Sequence, residues 1–281
     1  MSLRLDCAGR TLDLSRPLVM GILNATPDSF SDGGRFVDVE AALAHARRMV
    51  EEGADIIDVG GESTRPGASP VGEAEEIDRV VPLIRGLHRE LPVAISIDTG
   101  KAGVMRAAVA AGAGMINDVW ALRGPGSLKA ARDCGVPVCL MHMQGEPRSM
   151  QQAPSYADVL AEVYAFLRQR LRAAEAAGIP RSRLLVDPGF GFGKSLEHNL
   201  TLLRGLQRFA GLGVALLVGV SRKRMIGQLL GDAPVGGRLY GSLAAALFAA
   251  ERGAGILRVH DVKPTADALR VLLALAGPEQ S

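Results

Sequence analysis

Two aspartates close short apolar runs in this sequence, Asp98 after AISI and Asp187 after LLV, and Lys223 follows a third run, ALLVGV. A carboxylate only accepts hydrogen bonds, so a pair of them in an apolar mouth suits a flat heterocycle whose edge presents several N–H donors. Asn117 both donates and accepts, and Lys223 brings donors toward a ring carbonyl or nitrogen. Arg258 offers a planar guanidinium that can lie on a ring face. A second set seeks anions. Arg65, Arg258 and His260 are of the types that hold phosphate oxygens. Asn24 suits Mg2+, a hard ion that keeps several waters and bridges substrate phosphates. Ser221, read as opening the helix after its strand, would add a hydroxyl and free backbone amides for a carboxylate or phosphate.

These residues need elements to bring them together. Eight near-continuous apolar runs read as parallel strands covered on both faces: 19–24, 56–61, 94–99, 115–120, 137–142, 184–189, 215–221 and 256–261. Amphipathic stretches lie between them, among them 38–52, 71–90, 156–176 and 237–252. The α/β alternation suggests one closed (β/α)8 barrel of the TIM type, with an open doubly wound sheet as the alternative. Residues 3–14 alternate apolar and polar around Ala8-Gly9-Arg10 and read as a short N-terminal β-hairpin plugging the barrel's N-terminal mouth. No linker or repeat interrupts the pattern, so residues 1–281 read as one domain.

A barrel gathers its chemistry at the C-terminal strand ends. Here those ends carry Asn24, Glu62, Asp98, Asn117 with Asp118, His142, Asp187, Ser221 with Lys223, and Arg258 with His260. A buried Asp or Asn costs several kcal/mol unless it is paired. Any one of these residues reads equally as a turn cap; the whole set points to a site. The segments after the first two strands, 24–34 and 61–67, are long for βα turns and rich in Gly, Pro, Ser and Asp, and their Phe30 and Arg65 favour lids.

Other motifs read as structure. In PGFGFGKS (188–195), Pro188 replaces the first glycine of a phosphate loop, which favours a glycine-rich βα turn. GVSRK (219–223) lacks the final glycine of a nucleophile elbow. The five histidines show no zinc spacing; His45, His88 and His198 read as helix-surface residues, and His142 as either lining or structural. Cys134 and Cys139 read as a helix thiol and a strand core thiol. Three cysteines without a CxxC, and no apolar leader, favour a reducing cytoplasm. A net charge of +2 argues against nucleic-acid or membrane binding through bulk charge.

Taken in order, GILNATPDSFSD (21–32), DVGGESTRPG (58–67), SIDT (96–99), IND (116–118), LMHMQ (140–144), DPGFGFGK (187–194), GVSRK (219–223) and RVHD (258–261) resemble the dihydropteroate synthase family. Each piece alone is weak; the ordered set spans nearly the whole chain. Ala25 stands where the family often has Val, and Gly100 where Ser is common; neither touches the expected chemistry.

The resemblance implies a cytoplasmic transferase of folate biosynthesis, a sulfonamide target, which joins 6-hydroxymethyl-7,8-dihydropterin pyrophosphate to 4-aminobenzoate with Mg2+. It implies that the pterin is held by Asp98, Asn117, Asp187 and Lys223 with Arg258 stacked over it. Pyrophosphate would lie near Asn24, Thr64, Arg65, Arg258 and His260, with Mg2+ on Asn24, and aminobenzoate would touch Phe30, Thr64, Arg65, Pro66 and Ser221. Asp98, Asp187, Lys223, Arg258, His260, Phe30 and Asp32 would carry the chemistry, an ionising substitution. It also suggests a homodimer, for which the apolar segment 243–250 is a candidate surface, although a core-facing helix explains that run equally well. A pterin-dependent methyltransferase barrel would not need the GESTRPG or SRK elements, and a catalytically silent pterin-binding paralogue would have lost Asn24, Lys223 or loop residues; all are present.

Overall fold

Runs of four or five Val, Ile and Leu residues are too short for a buried helix, and being apolar on both faces they form strands that must be covered on both sides. The computed structural model of the chain describes residues 4–25, 35–62, 71–146 and 150–277. A hairpin of β1 (Arg4–Cys7) and β2 (Arg10–Asp13) precedes β3 (Leu18–Asn24), β4 (Ile56–Gly60), β5 (Ala94–Asp98), β6 (Met115–Asp118), β7 (Val138–Met141), β8 (Leu184–Asp187), β9 (Ala215–Val218) and β10 (Ile256–Val259). Strands β3 to β10 pair in parallel, each with the next, and β10 pairs with β3 to close the barrel. The open-sheet alternative is thereby excluded.

Helices α1 (Arg35–Glu51), α2 (Glu73–Glu90), α3 (Ala102–Ala111), α4 (Ser127–Cys134), α5 (Val159–Ala176), α6 (Leu196–Arg204), α7 (Arg224–Leu229), α8 (Leu239–Ala250) and α9 (Val262–Ala276) follow the barrel strands. Their apolar stripes face the strands: Val80, Leu83, Ile84 and Leu87 of α2, spaced by three and four, are all buried. None of the described helices is long and apolar enough to cross a membrane.

All the barrel strands but β3 end one to three residues earlier than their apolar runs suggest, and for β5, β6 and β8 the reason is chemical. The polar residues at their ends bond the backbone of the turn that follows. Asp118 accepts from the amides of Trp120 (2.7 Å) and Leu122 (2.8 Å). Asp187 accepts from Gly189 N–H at 2.7 Å, and Thr99 from Lys101 N–H at 3.2 Å. A side chain that satisfies the turn's donors replaces the ladder and peels the chain away from the sheet.

At the other end the hairpin seals the barrel. Its two-residue turn places Ala8 (φ 54°) and Gly9 (φ 85°) in the left-handed region, which matches the twist of a tight hairpin. Leu5 and Cys7 are buried against the first residues of the strands, including Leu18, Ile56, Ala94, Met115, Leu185 and Ile256. Gly114 lies so close that a Cβ there would stand 2.6 Å from the Cys7 carbonyl oxygen. Truncating this plug opens a cavity against strand residues that cannot collapse into it. Leu5→Ala is therefore expected to lower unfolding free energy by about 2–5 kcal/mol in urea titration; a loss below about 0.5 kcal/mol, the size of an ordinary surface substitution, would show that the hairpin does not seal the barrel.

Candidate active site

Parallel register fixes the height of each strand-end residue in the mouth. Asn24 pairs with Gly60, Gly60 with Asp98, and Asp98 with Asn117, so four neighbouring strands present one layer. Gly60 leaves that layer open between its neighbours: a Cβ there would lie 3.8 Å from both Asn24 Oδ1 and Asp98 Cβ.

A partly buried ionic cluster joins this layer to Asp58, two residues earlier on β4 than Gly60. Arg258 donates from Nε to Asp58 Oδ2 at 2.6 Å and from Nη2 to Asp98 Oδ2 at 2.8 Å. Asn117 Nδ2 donates to the same Asp58 oxygen at 3.3 Å. Asp58 is fully buried, and its other oxygen has no hydrogen-bond partner among the described residues. Burial by itself disfavours the guanidinium, but the attraction of Asp58 and Asp98 outweighs it and raises Arg258 above the ordinary arginine range. Burial lifts the Asp98 carboxyl, Arg258 pulls it back, and the neighbouring Asp58, Asp118 and Glu76 push it up again. The net result is a carboxyl above the ordinary carboxylate range, hydrogen-bonded to a fixed cation.

Asp187 and Lys223 form the other wall. Burial raises Asp187, opposed by the Lys223 charge and by its bond from Gly189 N–H. Burial lowers Lys223 to about 8, with Asp187 opposing. Lys223 Nζ donates to the Phe190 carbonyl and stands 4.4 Å from the Phe192 ring centroid. Two acids raised and one lysine lowered within one mouth is the pattern of a working site.

The anion-seeking residues are arranged differently from expectation. Ser221 does not open a helix: α7 starts at Arg224, Lys223 is its cap residue, and Lys223 N–H is taken by Val220 O at 3.4 Å. Arg222 sits at φ 56°, which turns the chain before the helix starts. Ser221 Oγ instead accepts from His260 N–H at 3.2 Å and stands 3.1 Å from His260 Nδ1. Arg222 grips Asp261 through two bonds of 2.9 and 2.5 Å. These contacts tie the segments after β9 and β10 together and set Ser221, Lys223, Arg258 and His260 on one side of the mouth.

Other strand-end residues serve structure. Asp118 caps its turn; burial raises it to about 6, with the Trp120 and Leu122 amides opposing. Glu62 accepts from Val71 N–H at 3.0 Å and pairs with Lys101 at 2.5 Å, and Lys101 also reaches the fully buried Glu76. His142 is buried and bonds Lys194 Nζ at 2.9 Å, and burial lowers it to about 2, helped by Lys194 and Arg123. His198, read as a surface residue, is half-buried and closes a capping box with Ser195. Phe30, Asp32, Thr64, Arg65 and Pro66 lie outside the described residues.

Asp58 was not singled out as a site residue from the sequence. Its signal was a lone charge in the middle of the strand IIDVG. For Mg2+, no group of three or more His, Cys, Asp or Glu converges among the described residues. The Asn24 carboxamide oxygen at the edge of the layer is of the donor type that would suit an ion held chiefly by phosphate oxygens and waters.

Comparison with known proteins agrees with this geometry. The family model described as "Pterin binding enzyme" matches residues 20–260. The dihydropteroate synthase of Escherichia coli is 52% identical over 279 residues, covering 99% of each chain. A solved structure of Xanthomonas albilineans dihydropteroate synthase with 4-aminobenzoic acid superposes with TM-score 0.94 at 58% identity, covering 99% of this chain and 100% of that one. The same enzyme in complex with 7,8-dihydropteroate superposes with TM-score 0.90 at 56% identity over 98% of this chain and 99% of that one. By sequence over its full length and by the closed barrel that carries these residues, the chain belongs to the dihydropteroate synthase family of pterin-binding enzymes.

Proposed function

We propose that this chain condenses 6-hydroxymethyl-7,8-dihydropterin pyrophosphate with 4-aminobenzoate, giving 7,8-dihydropteroate and pyrophosphate by an ionising substitution. The observation that carries this reading is the mouth itself: Asp98, Asn117, Asp187 and Lys223 around a half-buried, doubly paired Arg258, in a barrel of this family. Acceptors at Asp98 and Asp187 match the N–H-rich edge of a pterin, Asn117 completes the edge, and Lys223 donates to the ring.

The C–O bond between the pterin methylene and pyrophosphate breaks first, and the electron pair leaves with pyrophosphate. The cation left behind is delocalised into the ring, where the charges of Asp98 and Asp187 favour it. Such preorganised electrostatics need no reorganisation as the charge develops. Arg258 and His260 hold the departing phosphate oxygens. Asn24 would help hold Mg2+, whose chemistry when bound would be further charge neutralisation on the leaving group. The arylamine nitrogen then forms the C–N bond and releases its proton to solvent, so no strong base is required. Ser221 joins Phe30, Thr64, Arg65 and Pro66 in receiving aminobenzoate, the step with which a sulfonamide would compete. The three cysteines are unpaired, which suits a reducing compartment such as the cytoplasm.

A homodimer is part of this reading. In segment 243–250, Ala245, Ala246 and Ala249 face the core, so the contact would run instead over the exposed Leu229, Leu230, Val235 and Tyr240, from the end of α7 to the start of α8. Sedimentation equilibrium at micromolar concentration is expected to give twice the chain mass; a monomer would end the proposal.

Turnover tests the function. With the pterin pyrophosphate, 4-aminobenzoate and Mg2+, the protein is expected to release pyrophosphate and dihydropteroate in equal amounts. Asp98→Asn removes one charge-assisted contact and should lower kcat/KM by roughly 10- to 150-fold. An unchanged rate would remove Asp98 from the site, and pterin binding without product would favour a silent paralogue.

A further inference from the structure

The turn after β8 carries a lysine that the proposed chemistry leaves unused. Lys194 is 3% exposed, yet its ammonium has three acceptors: Gly189 O at 2.8 Å, Phe192 O at 3.0 Å and His142 Nδ1 at 2.9 Å. Three donors meeting three acceptors is full satisfaction for a lysine, and it is what makes burial of the group tolerable.

The sequence of this turn resembles a phosphate loop, but its polarity is reversed. A phosphate loop turns free N–H groups toward its ligand. Here Gly189 N–H is taken by Asp187 Oδ1, Gly191 N–H by Asn199 Oδ1 and Phe192 N–H by Gly189 O. Every carbonyl from 189 to 193 receives a donor: Lys194 on Gly189 and Phe192, Lys223 on Phe190, Gln151 on Gly191 and Tyr156 on Gly193. The glycines make this path possible. Gly189, Gly191 and Gly193 have φ of 70°, 78° and 63°, and a Cβ on Gly189 would collide with the His142 carbonyl. The turn is therefore a cradle of acceptors for two lysines.

The two lysines share that cradle. Lys194 bonds the carbonyls of Gly189 and Phe192, and between them lies Phe190, whose carbonyl receives Lys223 Nζ. Phe192 also supplies the ring against which Lys223 rests. Both contacts that fix the end of Lys223 are thus set by backbone that Lys194 clamps and that His142 anchors to the end of β7.

We propose that Lys194 is a positioning residue for the pterin site: by clamping Gly189 O and Phe192 O against His142, it holds the Phe190 carbonyl, and with it the Lys223 ammonium, at the height where Lys223 meets the pterin. The assignment rests on the functional reading above and adds to it a residue that need not touch substrate. Its signature is a loss confined to pterin and transmitted through Lys223. A residue that merely stabilises the barrel would show neither feature.

A double-mutant cycle reads both. Binding of 6-hydroxymethyl-7,8-dihydropterin pyrophosphate is measured by calorimetry for the wild type, Lys194→Met, Lys223→Met and the double variant, with KM for 4-aminobenzoate measured wherever turnover persists. Lys194→Met is expected to weaken pterin binding about tenfold in the wild-type background, to leave KM for aminobenzoate within about twofold, and to add less than about twofold once Lys223 is gone. Equal losses in both backgrounds, or unchanged pterin binding, would overturn the assignment while leaving the functional reading intact. Failure of the wild type itself to bind the pterin would overturn the functional reading, and the assignment with it. Should Lys194→Met not fold, His142→Leu takes its place in the cycle. It removes only one of the three acceptors and is expected to give a smaller loss with the same dependence on Lys223.

Discussion

Arg258 holds two carboxylates in the floor of the mouth, and the rest of the site is arranged around that contact. Taking a guanidinium and two carboxylates out of water is costly, and their attraction offsets the cost only where the geometry is good and the remaining polar atoms are bonded. Both bonds from Arg258 are short, 2.6 Å to Asp58 and 2.8 Å to Asp98, and Asn117 shares the Asp58 oxygen, while the second Asp58 oxygen has no partner among the described residues, so part of the cost stays uncompensated. Apolar residues of similar volume often serve stability as well as such a cluster does. What the cluster supplies is a fixed charge pattern at the place where the pterin is proposed to lie.

The barrel makes that pattern possible by register. Parallel strands set Asn24, Gly60, Asp98 and Asn117 at one height. Beyond them the polar ends of β5, β6 and β8 bond their own turns, which stops those strands and leads the chain away from the ladder. The glycine-rich turn after β8 adds a layer of carbonyls that receive Lys194 and Lys223. The opposite end is closed by the hairpin's Leu5 and Cys7, so the plugged end and the working end of the barrel are built from separate residues.

The strands and their parallel closure were legible because an apolar run on both faces has few other uses. The polar strand ends were legible as a group because buried Asp, Asn and Lys are expensive. Three things were hidden. Strand ends overshot because nothing in a run such as MINDVW tells a ladder residue from one whose carboxylate caps the next turn, as Asp118 does. Ser221 was placed at a helix start, since the left-handed turn at Arg222 that delays α7 has no marker glycine. Asp58 and Lys194 were passed over because their partners, Arg258 and His142, lie 200 and 52 residues away, and pairing at that distance exists only after the barrel closes.

Asp58 is the residue that fixes the groups proposed to contact the pterin. Its carboxylate holds both Arg258 Nε and Asn117 Nδ2. The most direct measurement is the affinity of the Asp58→Asn variant for the dihydropterin pyrophosphate. A folded variant that binds more than about tenfold more weakly than the wild type is the predicted result, because the lost charge loosens at once two groups that are proposed to meet the pterin. Binding within about twofold of the wild type would contradict the claim that the buried ionic cluster organises this site.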